Sequence, residues 1–123
     1  MTNTRKAAER RGRIGETFAA LYLQLLGWRI VARRVRTRVG EIDLIANRGR
    51  VTLFVEVKTR ATRAELETAI DQHRLSRVAS AATLLAPRFA KPGDDIRIDV
   101  ILLAPWSLPR HIRNAWMGWG ERR

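Results

Sequence analysis

The chain has 123 residues, 46% of them apolar, which suits one folded core and leaves no room for a second domain. It has no cysteine, which excludes a disulfide scaffold, a thiolate metal centre and a cysteine nucleophile. Lys and Arg total 24 against 12 for Asp and Glu, a net charge of +12, so a polyanionic partner such as nucleic acid is expected.

Of the 24 basic residues only Lys6, Lys58 and Lys91 are lysines. Arginine's planar, permanently charged fork suits phosphate. No apolar run approaches the roughly 18–20 residues of a membrane span. No signal-type apolar segment follows the basic Met1–Arg13 stretch. The expected location is therefore cytoplasmic, with no membrane partner. Residues 1–123 read as a single domain, with 1–6 and 117–123 as flexible ends.

The spacing predicts a first helix from about Ala7 to Leu26, with Ile14, Phe18, Leu21, Tyr22 and Leu25 as its inward stripe and Gly27 as its cap. The later half of that helix is apolar on most sides, which predicts cover from more than one element. Trp28–Arg36 reads as a strand with Trp28, Ile30, Ala32 and Arg34 on one face. Gly40–Ala46 and Val51–Lys58 read as two more, joined as a hairpin through Asn47-Arg48-Gly49-Arg50. Thr62 followed by Glu65 matches a capping box opening a second helix. That helix is expected to run to about Leu85, with Leu66, Ile70, Leu75, Val78, Ala79, Ala82 and Leu85 inward, and to end at Pro87. Asp95–Leu103 is a fourth strand, and His111–Trp116 a short edge strand. The order α-β-β-β-α-β-β predicts an α/β fold.

Candidate chemistry lies on the hairpin. Side chains alternate along a strand, so Glu56 and Lys58 share a face, and the turn brings Asp43 within one or two rungs of Glu56. Two carboxylates about 4.8 Å apart repel unless a cation sits between them. A hard ion such as Mg²⁺ suits such oxygen ligands. Lys58 could then stabilise charge on a phosphate or help position an attacking water. A cross-strand salt bridge among Glu41, Asp43, Glu56 and Lys58 is the competing structural reading. Glu16 is a further candidate. Gly15 precedes it, and a mid-helix glycine costs about 1 kcal/mol against alanine, which close packing or approach to a ligand would explain.

The strings GEIDLIA (40–46) and LFVEVKTR (53–60), with IGETFAALYLQLLGW (14–28) before them, resemble the YraN-like family of small bacterial proteins. The later segments HRLSRVASAATLLA, RIDVILL and HIRNAW extend the resemblance from about Arg11 to Trp116. It implies a restriction-endonuclease-like fold, a central mixed sheet flanked by two main helices. It also implies a metal-dependent nuclease site similar to that of archaeal Holliday-junction resolvases. Under it Asp43 and Glu56 match the metal-binding acids, Lys58 the catalytic lysine and Glu16 the acid of helix one. The backbone carbonyl of Val57 would complete the shell of a Mg²⁺ (or Mn²⁺) ion. The family usually carries a lysine near the start of helix two, where this chain has Asp71 and Gln72, so Arg74 is read as taking over phosphate contact.

Arg60, Arg63, Arg74 and Arg77 are the expected phosphate track, each adding to salt sensitivity. Trp106, Trp116 and Trp119 could stack on unpaired bases but read more readily as core or self-association residues, and His73 and His111 as ordinary polar ones. The function expected is a Mg²⁺-assisted endonuclease acting on DNA, with branched DNA as first-choice substrate. A homodimer is compatible with cutting two strands. The alternatives are a non-catalytic nucleic-acid-binding module and an interaction protein in DNA uptake or repair.

Overall fold

The computed structural model describes residues 2–66 and 71–116. In chain order the elements are α1 (Thr2–Leu25), β1 (Arg29–Thr37), β2 (Gly40–Arg48), β3 (Val51–Thr59), α2 (Arg63–Leu66), α3 (Gln72–Phe89), β4 (Asp95–Leu103) and β5 (Arg110–Ile112). One five-stranded sheet runs β1-β2-β3-β4-β5, with β3–β4 parallel and the other pairs antiparallel. This is the mixed α/β architecture expected. Alternation along β3 splits the core in two. Phe54 joins Ile98, Leu102, Val78 and Leu85 beneath α3, while Leu53 and Val55 join Ala19, Leu23 and Ile101 beneath α1.

The hairpin closes as predicted, with Arg48 opposite Val51 and Gly49 at φ +57. Gly27 ends α1 at φ +92. Its N–H donates to the Gln24 carbonyl and that of Trp28 to the Leu23 carbonyl, a Schellman cap. Trp28 is then buried between guanidiniums, Arg48 at 4.2 Å and Arg97 at 5.4 Å from its ring.

Helix one differs from its prediction in extent and rotation. It begins at Thr2, so residues 2–6 are helical rather than a loose end. Ile14, Phe18, Leu21 and Leu25 face solvent, and Tyr22 is half-buried; the residues turned inward are Gly15, Glu16, Ala19, Ala20 and Leu23. The small residues decide this, because only they let the helix sit close on the sheet. A Cβ on Gly15 would lie 2.2 Å from the Thr59 methyl. Gly15→Ala is therefore expected to destabilise the fold by about 1–3 kcal/mol through overpacking, read as a lower urea midpoint. An unchanged midpoint would show that α1 is not seated there.

The predicted second helix is two. Thr62 does cap α2, its hydroxyl accepting from the Glu65 N–H at 3.3 Å. Then α3 starts afresh behind Asp71, whose carboxylate accepts from the His73 N–H at 3.0 Å. Pro87 does not end this helix. It sits in the last turn, Phe89 stays helical beyond it, and the Ala90 N–H still reaches the Ala86 carbonyl. The inward readings of Leu66 and Ile70 concern side chains outside those described, and Trp119 and the expected flexible end 117–123 lie outside the described residues. The edge strand stops at Ile112 rather than Trp116. In β1 an irregularity between Ile30 and Ala32 breaks the predicted alternation, so Ala32 packs on the α3 side and Ile30 on the α1 side. No helix among the described residues is long and apolar enough to cross a membrane.

Candidate active site

The hairpin register Leu44↔Val55 sets Asp43 beside Glu56 at the next rung. Asp43 Oδ2 accepts from the Val57 N–H at 2.7 Å. Burial, then the negative Glu56, push the Asp43 carboxyl up to about 8; the Val57 N–H opposes this, and Glu16 adds to it. Lys58 Nζ lies 3.7 Å from Glu56 Oε1 on the same strand face, and both side chains are buried. Burial lowers the Lys58 ammonium from its ordinary value, with repulsion from Arg74 and Arg60 adding to the effect and Glu56 and Asp43 resisting it.

Glu16 on α1 is buried, and its charge is felt at Asp43. It is held by Arg34, whose Nε lies 2.6 Å from Glu16 Oε1. Arg34 adopts φ +52, a left-handed conformation that a long side chain rarely takes. That conformation was invisible in the sequence, and so was the pairing. A cleft of about 370 Å³ opens over the acids, lined by Gly40, Glu41, Asp43, Glu56, Asp71, His73, Arg74, Arg77 and Val78. Its floor is carboxylate and its far wall is α3. A Cβ on Gly40 would lie 3.1 Å from the Arg77 carbonyl, so α3 approaches β2 closely at the cleft mouth.

The four arginines of the expected phosphate track separate. Arg74 Nε lies 3.7 Å from Glu56 Oε2, and Arg77 lines the same cleft. Arg60 instead lines a groove beside α1, and Arg63 sits exposed on α2. On β1, Arg36 pairs with Glu41 at 3.0 Å and Arg33 donates to the Thr17 hydroxyl at 2.9 Å. The position where a lysine was expected, Asp71, caps α3 and lines the cleft.

The donor set fits a hard divalent cation in part. Two neighbouring carboxyls, half-buried Asp43 and buried Glu56, offer oxygen ligands that an ion could take, with water completing its coordination. No group of three or more His, Cys, Asp or Glu side chains among the described residues is arranged to hold a metal ion. Glu16 is engaged by Arg34, so the direct holders would be Asp43 and Glu56.

A second polar cluster was missed in the sequence. Asp99 is fully buried on β4 and takes Arg97 Nη2 at 2.9 Å, His111 Nε2 at 2.6 Å and the Asn114 N–H at 2.9 Å. The Tyr22 hydroxyl meets His111 Nδ1 at 3.0 Å and so ties α1 to β5. Burial alone would raise the Asp99 carboxyl, but the bonds from His111, Arg97 and Asn114 outweigh it and hold it below the ordinary carboxylate range. His111 is thus a structural residue.

Residues 15–103 match an uncharacterised protein family, UPF0102. A UPF0102 protein of Erythrobacter litoralis is 62% identical over 112 residues, 91% of this chain and 97% of its own length. One of Sphingopyxis alaskensis is 61% identical over 113 residues, 92% and 97% respectively. One of Mesorhizobium japonicum is 46% identical over 116 residues, 94% and 93%.

Proposed function

The chain belongs to the UPF0102 family, the YraN-like family its motifs resemble, and from that starting point we propose that it is a metal-dependent endonuclease acting on DNA. The observation that carries this reading is half-buried Asp43 beside buried Glu56 in a cleft bordered by Arg74 and Arg77, with the buried Lys58 ammonium 3.7 Å from Glu56. A stability role alone gives no reason to set two carboxyls side by side where one of them is held protonated to about pH 8.

In this reading Asp43 and Glu56 hold a Mg²⁺ or Mn²⁺ ion, which when bound supplies Lewis acidity toward a phosphodiester. The Val57 N–H fixes the orientation of Asp43, and the Val57 carbonyl is the backbone oxygen offered to the ion. Lys58, with its proton loosened by burial, orients an attacking water and stabilises charge on the phosphoryl oxygens. Glu16 keeps Arg34 at the edge of the site and adds negative potential at Asp43. Arg74 and Arg77 take the phosphates flanking the scissile bond. Branched DNA is the preferred substrate through the likeness to Holliday-junction resolvases.

One observation favours a second reading. Glu16, Glu56 and their neighbours are already paired with Arg34, Lys58 and Arg74, so much of the cluster's charge is balanced without an ion. A nucleic-acid-binding module could keep it for stability. A cleavage panel separates the two: linear duplex, single strand, flap and four-way junction, each with Mg²⁺, Mn²⁺ or EDTA. The nuclease reading expects cutting that EDTA abolishes and that Lys58→Ala lowers by about 10²–10⁴-fold while binding survives. No cutting of any substrate, or cutting unchanged by Lys58→Ala, overturns it. Arg74→Ala and Arg77→Ala are each expected to weaken DNA binding and to reduce the salt slope by about 1. A slope unchanged in both would place the phosphate track elsewhere.

A further inference from the structure

On the α1 side of the sheet, away from the cleft, lies a groove of about 330 Å³. Its apolar wall and floor come from Ile14, Gly15, Phe18, Leu103, Pro105 and Trp106, and Arg11 and Arg60 stand at its rim. The groove continues along α1 as an apolar stripe. Ile14 is 62% exposed, Phe18 54%, Leu21 57% and Leu25 87%. Trp106 is completely exposed and sits at φ +61, a conformation costly for a bulky residue. A large side chain presents roughly 150–250 Å², so these residues form a patch at or above the size that marks an interaction site. Residues at this spacing on a helix ordinarily belong to a core, and nothing among the described residues covers them.

Charge identifies the occupant. Neither Arg11 nor Arg60 forms an ion pair with a described carboxylate, and Arg10 and Arg13 flank the stripe beside Ile14 and Phe18 in the same state. A second copy would bring the same guanidiniums and another +12 to the contact. The site is also concave, which suits an inserted side chain better than a flat lipid surface. We propose that this groove docks an acidic peptide segment of another protein, inserting one apolar side chain between Phe18 and Trp106 while its carboxylates meet Arg11 and Arg60. This inference is independent of the nuclease reading, since it uses neither the cleft nor its acids.

The test uses a fluorescein-labelled eight-residue peptide of four aspartates followed by leucine and phenylalanine residues. An eight-residue aspartate-only peptide controls for nonspecific attraction to a basic protein. Anisotropy titration of the full chain at about 150 mM salt, a Debye length near 8 Å, is expected to show the apolar-anchored peptide binding at least 10-fold more tightly. Trp106→Ala and Phe18→Ser, both at exposed positions, should erase that preference with the far-ultraviolet spectrum unchanged. Arg11→Glu should weaken binding and flatten its salt dependence. Equal binding of both peptides, or a preference that survives both apolar substitutions, overturns the proposal. So does sedimentation of the chain alone as a dimer that Trp106→Ala dissolves, which assigns the groove to a second copy. Pelleting with phosphatidylglycerol vesicles that Trp106→Ala abolishes assigns it to lipid and overturns it equally.

Discussion

Asp43→Asn is expected to make the metal-free chain more stable at pH 8 while abolishing metal-dependent cleavage. Among the described acids, Asp43 is the one whose carboxyl the fold pushes well above its ordinary value. Burial and Glu56 keep its proton on to about 8, whereas the unfolded chain releases it near 3.8. Between those two values the unfolded state has lost a proton that the folded state retains, so this group's contribution to stability falls as pH rises through that window. Asparagine removes the fall and still offers an Oδ to the Val57 N–H, which Asp43 engages at 2.7 Å. The gain at pH 8 is expected to be on the order of 1–2 kcal/mol, a rise in Tm of roughly 4–8 °C or more. Near pH 4 the two proteins should melt alike. A variant less stable than the parent at pH 8 would show that Asp43 is comfortably ionised in the fold.

The second large effect concerns Asp99. Asp99→Ala leaves the Arg97 guanidinium without its partner and frees His111, and with it the Tyr22 link between α1 and β5. Removing one partner of a buried ion pair typically costs 3–5 kcal/mol, about a third to a half of the stability of a typical small domain. Urea unfolding at pH 7 should show that loss. The carboxylate's low proton affinity adds a pH signature. Its stabilisation is present above the ordinary Asp range and disappears as pH falls through its depressed folded value, so the parent should lose its advantage over the alanine variant in acid. A loss below about 0.5 kcal/mol, the range of ordinary surface substitutions, would mean that the cluster is decorative.

The parts of the molecule legible in the sequence are those set by local rules. Gly27 after an apolar helix gave its cap, Asn47 to Arg50 gave the hairpin, and strand alternation put Glu56 beside Lys58 and near Asp43. What stayed hidden depends on contacts between distant segments. Helix one has two faces that could be buried, and hydrophobicity favours Ile14, Phe18, Leu21 and Leu25. The fold chooses the other because Gly15 and Ala19 permit closer approach to β3, which also turns Glu16 inward. Periodicity ranks faces by greasiness and does not register how closely each allows the backbone to approach. The Arg34–Glu16 pair depends on a left-handed residue inside a strand, and the Tyr22–His111 bond joins residues 89 positions apart. Neither leaves a local trace. The helical break at Asp71 was marked by an acid at a cap position, but the apolar spacing on both sides concealed it.

Calorimetric titration of Mn²⁺ into the metal-free chain at pH 8 tests the cation site most directly. The account predicts one saturable ion per chain, lost in both Asp43→Asn and Glu56→Gln and retained in Lys58→Ala. A parent protein that takes up no Mn²⁺ at millimolar concentration, or an Asp43→Asn variant that binds it as well as the parent, would contradict it.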